Sequence, residues 1–205
     1  MFVSQEEFKK FLTQEQKKFI LECIHGGLAD YNNPAYYGNE ARRDHTPSVR
    51  AQIRNCHIVA HAFRALIDRP DIRVINKRGR ILFIFSDKSL VSIKKFDARL
   101  RTANAPTQQA LAFKGQQPLD LDMPTPLINI FTGYTYDAVE TNYEVYITCP
   151  DDEKNHWVWK ISGAEITEFF SNSTVNADDI GTVHFVPKRR VRIRPDAQRK
   201  AKETG

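Results

Sequence analysis

The sequence predicts an α+β protein in which N-terminal helices precede a mostly antiparallel sheet built from two groups of three strands. Apolar residues recur at three-and-four spacing up to about residue 68, and β-branched and aromatic runs replace them from residue 72. Helices come first and strands later, without the alternation of a parallel α/β sheet. We therefore expect a single domain, residues 1–186, with a helical part (1–68) and a β-rich part (70–170).

The first helix is predicted over residues 4–25, where an S-x-x-E capping box precedes an apolar stripe. Thr13 is a point at which this helix could divide in two. Gly26 and Gly27 are typical of a helix C-terminus, because glycine readily adopts the left-handed conformation that ends many helices. The polar, aromatic-rich residues 30–45 are then predicted to form a loop.

A second helix is predicted to begin after Thr46, its N-cap, and to end near Asp68. Six apolar residues recur along it and are expected to form its buried face: Val49, Ile53, Cys56, Ala60, Phe63 and Ile67. Beside that face, on the expected solvent side, five side chains form a cationic stripe about 80° wide. Its members are Arg50, Arg54, His57, His61 and Arg64.

This cationic stripe carries the main functional prediction. Cations hold phosphate groups, and imidazoles transfer protons near neutral pH. We therefore predict His57 and His61 as catalytic residues, with Arg50, Arg54 and Arg64 binding an anion. The alternative is an ordinary solvated helix face. The histidines lack the helix glutamate that accompanies many zinc sites, and no nucleotide-binding fingerprint is present, so neither a metal nor a cofactor is predicted.

The β-rich part begins with the runs IRVI, RILFIF and LVSIKKF, which short turns separate into a predicted antiparallel meander. A short helix is predicted over residues 106–113, and the runs LINIFTGYTY, YEVYITC and WVWKIS predict three more strands. Four cations lie between the meander and the short helix and are predicted to bind an anion: Lys94, Lys95, Arg99 and Arg101. The alternative is a sheet edge that lysine protects from aggregation.

Charge is divided unevenly along the chain. Residues 46–101 contain 13 basic and 4 acidic side chains, whereas residues 102–186 contain 3 basic and 12 acidic ones. The basic segment suits RNA, another polyanion or an acidic protein. Equally, the acidic segment could neutralise it, within one chain or across a homodimer. Residues 187–205 contain 8 basic and 2 acidic side chains and are predicted to form a disordered tail.

The location of the protein follows from features that the sequence lacks. No run approaches the roughly 20 apolar residues of a membrane span. The opening MFVSQEEFKKF does not have the layout of a signal peptide, and the three cysteines are widely separated. We therefore expect a cytoplasmic protein with reduced cysteines and no membrane partner.

Five segments, in order, carry a family resemblance over residues 45–162: HTPSVRAQIRNCHIVAHAFRAL, GRILFIF, LVSIKKFDARLRTANAPTQQALAF, GYTYDAVETNYEVYITCP and NHWVWKI. They resemble a poorly characterised family of bacterial and prophage proteins. Its members are encoded beside regulators that join a helix-turn-helix to a zinc-peptidase-like domain. The resemblance implies a toxin–antitoxin-like or prophage-immunity pair, with this chain as the effector and the regulator as its partner. It supplies no catalytic residues.

The sequence is therefore interpreted as a prophage- or stress-associated effector, the toxin of such a pair, acting on RNA or another polyanion. The alternative is a non-catalytic regulator that binds nucleic acid or protein through the same surface. The sequence leaves open whether the chain is an enzyme.

Overall fold

A computed structural model gives the structure of the chain and describes residues 2–35, 38–67, 69–77, 79–103, 107–119, 121, 126–137, 142–162 and 165, without the side chains of residues 39, 41 and 42. The chain divides into two compact units, Met1–Asn172 and Ser173–Gly205. The second unit, which includes the predicted tail of residues 187–205, lies outside the described residues, as do both predicted ends, 170 and 186.

Within the described residues, four helices come first along the chain, and a fifth helix divides the six strands that follow into two groups of consecutive strands. The helices are α1 (Gln5–Phe11), α2 (Gln14–Asn32), α3 (Asn39–Asp44), α4 (Pro47–Ala65) and α5 (Gln108–Lys114). The strands are β1 (Ile72–Lys77), β2 (Arg80–Phe85), β3 (Ser89–Lys95), β4 (Ile128–Tyr136), β5 (Tyr143–Asp151) and β6 (Lys154–Ile161). The predicted α+β class is confirmed.

The six strands form one sheet in the order β1-β2-β3-β4-β5-β6. Neighbouring strands are antiparallel except β3 and β4, which pair in parallel, with Ser89 opposite Ile128. A parallel pair cannot be joined by a tight turn, and the crossover between these two strands contains α5. Ser86 and Asp87 both have positive φ in the β2–β3 hairpin, as a type I′ turn requires.

The two faces of the sheet are covered by different elements. The helical face packs on α1, α2 and α4, and its core includes Phe19 of α2 against Phe83 and Phe85 of β2. The opposite face packs on α5, where Phe113 contacts Phe131 of β4. Successive residues of β2 and β3 therefore pack alternately into two separate cores, one on each face of the sheet.

The N-terminal helices confirm one prediction and correct another. Thr13 does divide the first helical segment, because its side chain caps α2 by accepting a hydrogen bond from the Gln16 amide. The predicted stop at Gly26 and Gly27 is wrong, since α2 continues to Asn32. Part of the predicted loop over residues 30–45 is likewise helical, in the last turn of α2 and in α3.

The two glycines have a different role, which is close helix packing. A Cβ on Gly27 would lie 2.5 Å from both the Cα and the amide nitrogen of Ile58 in α4. A Cβ on Gly26 would lie 2.5 Å from Nδ1 of His61. Glycine is therefore required for the backbone of α4 to approach α2 this closely, and the helix conformation is kept because packing outweighs the low helix propensity of glycine.

The predicted orientation of α4 is wrong as well. The helix buries Ile58 and Ala62 together with Arg54, which is only 2% exposed. Members of the predicted apolar face are instead exposed, including Phe63 at 49% and Ile67 at 83%. The contact at Gly27 turns the Ile58 side of α4 inward, and this carries one member of the cationic stripe into the core.

The tryptophans Trp157 and Trp159 share the helical face of β6. Trp157 is buried, and its Nε1 donates a hydrogen bond of 2.8 Å to the carbonyl oxygen of Val3. The ammonium groups of Lys9 and Lys17 lie 5.4 and 5.0 Å from the Trp159 ring centre. Both rings therefore hold the N-terminal helices on the sheet, as expected of core tryptophans.

The close helix contact predicts that Gly27→Ala destabilises the protein. The added methyl group meets backbone atoms of Ile58, which cannot move aside as a flexible side chain would. We expect a loss of about 1–3 kcal/mol in the free energy of unfolding, as for other overpacked interiors. Chemical denaturation measures this loss.

Gly38→Ala is the matched control, because no atom lies within 4 Å of the position that its Cβ would occupy. It should cost less than about 1 kcal/mol, the usual effect of a weaker N-cap residue. Equal losses for the two variants would show that the α2–α4 contact is not the constraint.

Candidate functional site

Three members of the cationic stripe converge on one carboxylate, Asp30 in the last turn of α2. Nε2 of His61 lies 2.8 Å from Oδ2 of Asp30, within hydrogen-bond distance. Nη2 of Arg64 lies 3.4 Å from the same oxygen, and Nδ1 of His57 lies 3.9 Å from it. We call these four residues the Asp30 cluster. It unites two imidazoles, a guanidinium and a carboxylate at the seam between α2 and α4.

The Asp30 cluster is partly open to solvent. The side chains of His57, His61 and Asp30 are each about one quarter exposed, and that of Arg64 is 58% exposed. Partial burial strengthens the interaction of these charges while leaving the group accessible to a ligand. The cluster can therefore bind an anion and exchange protons with it.

His61 is the most constrained member. Burial lowers the pKa of its imidazole, and although the hydrogen bond to the Asp30 carboxylate acts in the opposite direction, the net shift is downward. The neutral form is thus favoured relative to a free histidine. The ring also packs on Gly26, so His61 contributes to helix packing as well as to the cluster.

Two members of the cationic stripe, Arg50 and Arg54, lie outside the Asp30 cluster. The Arg54 guanidinium is buried with its Cζ 4.4 Å from the ring centre of Tyr31 and 4.5 Å from that of Tyr136. It thus links α2, α4 and β4 in the core, and the predicted contact of Arg54 with an external anion is wrong. Arg50 lies one turn earlier on α4 and is partly buried.

The four cations between the meander and the short helix, which were predicted to bind an anion, lie in three different places in the structure. Arg101 and Arg99 follow Asp97 in a loop, where Oδ1 of Asp97 accepts hydrogen bonds from both backbone amides. Nε of Arg101 also lies 3.4 Å from the Asp97 carboxylate. Lys95, at the end of β3, lines a cavity of about 450 Å³ together with Glu144. These three cations thus lie near carboxylates.

Lys94 has different surroundings from the other three cations. It belongs to the alternate residues of β3 that face α5, as do Ser92 and Leu90. The neighbouring strand β2 places Arg80 on the same face. Burial lowers the pKa of Lys94, and the charge of Arg80 lowers it further. Two cations are therefore adjacent on the sheet face opposite the Asp30 cluster.

The sequence reasoning missed Asp30 and Arg80. Asp30 was placed in a loop because the glycines before it were interpreted as a helix stop. No pattern in the sequence pairs it with His61, since the contact depends on how α2 and α4 pack. Arg80 did have a signal, because alternation along RILFIF and LVSIK places Arg80 and Lys94 on the face that carries Leu82.

The ion pairs seen for the basic segment (46–101) include several with α2. Arg69 lies 3.2 Å from the carboxylate of Glu15 and 3.0 Å from that of Glu22, and Arg64 lies near Asp30. The acidic residues that meet the basic segment at these points thus come from the N-terminal helices. They do not belong to the acidic segment of residues 102–186.

The buried position of Arg54 predicts that Arg54→Lys is strongly destabilising. An ammonium group lacks the flat guanidinium surface that fills the space between Tyr31 and Tyr136. We expect a loss of about 2 kcal/mol or more in the free energy of unfolding, the scale of a desolvated cation–aromatic contact.

Arg64→Lys is the matched control, because this exposed arginine keeps its charge near Asp30. It should change stability by about 0.5 kcal/mol or less. Thermal unfolding of the two variants provides the comparison, and a tolerated Arg54→Lys would show that the stacking is not what holds α4 on the sheet.

Two further searches of the described residues bear on function. No group of three or more His, Cys, Asp or Glu in the described part of the chain has the arrangement of a metal site. Within the same part, no helix has the length and apolar character needed to cross a membrane. Comparisons with protein-family models, curated proteins and solved structures find no match to this chain.

Proposed function

We propose that the protein is an effector of the toxin–antitoxin type that acts on RNA or another phosphate-bearing polyanion. The observation that carries this proposal is the Asp30 cluster, in which His57 and His61 lie beside one carboxylate on a partly exposed surface. The resemblance to bacterial and prophage proteins encoded beside regulators supports the effector role.

The cluster contains groups suited to general acid–base cleavage of RNA. A neutral imidazole removes the proton of a ribose 2′-hydroxyl, whose oxygen attacks the adjacent phosphorus. A protonated imidazole gives its proton to the departing 5′-oxygen, which leaves a 2′,3′-cyclic phosphate and a 5′-hydroxyl. His57 and His61 are the candidates for these two roles. Arg64 lies close enough to bind the phosphate.

A non-catalytic binding protein is the second candidate function. The observation that favours it is the structural duty of His61, whose ring packs on Gly26 and hydrogen-bonds to Asp30. In that case the exposed Arg64 and its neighbours bind a polyanion by charge alone. Affinity would then decrease gradually as arginines are replaced, and no single histidine would be decisive.

The growth test separates the two functions. Production of the wild-type chain in bacteria should arrest growth, and His57→Ala should abolish the arrest while the protein stays folded. Purified wild type should cleave RNA to 2′,3′-cyclic ends, with a rate loss of about 10²–10⁴-fold in His57→Ala, the usual contribution of one acid or base. His57 is chosen because it lies farther from Asp30 than His61 does.

His156→Ala is the control, because this exposed histidine on β6 stacks on Phe2, away from the Asp30 cluster. It should arrest growth as the wild type does. Arrest that persists in His57→Ala removes this histidine from the chemistry. Absence of arrest by the wild type, at confirmed expression, contradicts the toxin function and favours the binding protein.

The proposed partner is the regulator encoded beside the effector. Support comes from exposed apolar side chains at the C-terminal end of α4, namely Phe63 within the helix and Ile67 just after it. Exposed apolar surface of this kind is typical of protein contacts. Phe63→Asp should keep the growth arrest and lose its relief by the product of the neighbouring regulator gene. Leu111→Asp, at an exposed leucine of α5, is the control and should keep both.

Relief that survives Phe63→Asp would contradict the assignment of α4 to the partner. Size-exclusion chromatography of the wild type alone adds a second readout. A dimer that Phe63→Asp dissociates would show that a second copy, and not the regulator, covers this side of α4.

A further inference from the structure

Arg80 and Lys94 are neighbours on the sheet face that packs on α5. The β2–β3 pairing aligns Phe83 with Val91, and Arg80 and Lys94 lie on the same face of these strands, close enough for the charge of Arg80 to lower the pKa of Lys94. On the other side of Lys94, its partner in β4 is Gly133, which has no side chain. A Cβ on Gly133 would collide with the carbonyl oxygen of Lys94, so glycine is required at this contact between β3 and β4.

The Arg80 guanidinium packs against aromatic rings and forms no ion pair with the described residues. Its Cζ lies 4.3 Å from the ring centre of Phe113 and 5.9 Å from that of Phe131. Its Nε and Nη2 atoms are buried and have no hydrogen-bond partner. Burial lowers the pKa of Arg80 to about 10. Among the described residues, no carboxylate is seen in an ion pair with Arg80 or Lys94.

Two further donors near these cations also lack partners. The buried hydroxyl of Ser92 lies on the same face of β3, two residues before Lys94, and makes no hydrogen bond. Nε2 of Gln109 is buried without a partner on α5, one turn before Phe113. The arrangement thus contains several unpartnered donors, and no carboxylate of the described residues is seen paired with its two cations.

Unpartnered groups of this kind reduce the stability of the folded state unless a ligand forms hydrogen bonds and ion pairs with them. Buried polar groups in folded proteins are almost always hydrogen-bonded, and a buried charge without a counter-charge is strongly unfavourable. A tetrahedral dianion offers several acceptor oxygens and two negative charges, which match two cations and two neutral donors. Arginine in particular presents a planar set of donors that suits phosphate.

We propose that Arg80 and Lys94, with Ser92 and Gln109, bind the phosphate dianion of a small molecule. The ring of Phe113 holds the guanidinium in place. This phosphate site lies on the sheet face opposite the Asp30 cluster. It does not depend on the proposed cleavage of RNA, because its ligand is recognised by charge and hydrogen bonding alone.

Thermal unfolding of the full chain in increasing inorganic phosphate tests the site, with chloride keeping the ionic strength constant. The wild-type melting temperature should rise with phosphate in a saturable way, because a ligand that binds only the folded state stabilises it. Arg80→Met should weaken phosphate binding at least tenfold. Arg73→Met, at an exposed arginine of the neighbouring strand β1, should bind phosphate as the wild type does.

The melting temperatures without phosphate provide an independent readout. Arg80 is half-buried and has no carboxylate partner among the described residues, so replacing it with an apolar side chain of similar length should not lower stability. Arg80→Met should therefore melt at or above the wild-type temperature. If Arg80→Met fails to fold, Lys94→Met takes its place, with the same expected loss of phosphate binding. No saturable effect of phosphate on the wild type, or equal loss in Arg80→Met and Arg73→Met, overturns the proposal.

Calorimetric titration distinguishes the sources of the phosphate group. Inorganic phosphate, a nucleoside 5′-monophosphate and the corresponding nucleoside are compared at the same ionic strength. Tighter binding of the monophosphate identifies a phosphomonoester as the ligand, and tighter binding of inorganic phosphate identifies the free anion. Binding of the nucleoside as strongly as its monophosphate would show that the phosphate group is not recognised, and would contradict the proposal.

Discussion

The close contact between α2 and α4 is the constraint on which the helical side of this protein depends. Gly27 allows the backbone of α4 to lie against α2 at Ile58, and Gly26 allows the imidazole of His61 to lie against the same helix. Because the two helices lie so close together, α4 cannot rotate about its own axis without a clash. The side that carries Ile58 and Ala62 must face inward, whatever the remaining side chains are.

This orientation explains both the core and the surface of α4. Arg54 follows the same side as Ile58 and is therefore buried, where Tyr31 and Tyr136 stack on its guanidinium. His57 and His61 lie at the border of that side and meet Asp30. Apolar residues of α4 such as Phe63 are instead exposed to solvent. A single helix contact thus creates the Asp30 cluster and the exposed apolar side together.

A different constraint, the order and direction of the strands, determines what covers the sheet face opposite the N-terminal helices. The parallel pairing of β3 and β4 requires a crossover, and the crossover carries α5 onto the sheet. Phe113 of α5 then covers Arg80, so that a cation at the start of a hairpin strand becomes partly buried. The two candidate sites of this protein therefore arise on opposite faces, one from helix packing and one from sheet topology.

Local patterns in the sequence are enough to predict the class of fold and most of the helices and strands. These predictions depend on periodicity, on Thr46 as the N-cap of α4 and on turn residues between strands. Helix packing decided which face of α4 is buried, because apolar spacing indicated the wrong one. It also decided that Gly26 and Gly27 continue a helix, since glycine can either end a helix or admit a close neighbour. The partners of His61 and Arg80 depend on residues distant in sequence, and only packing brings those residues together.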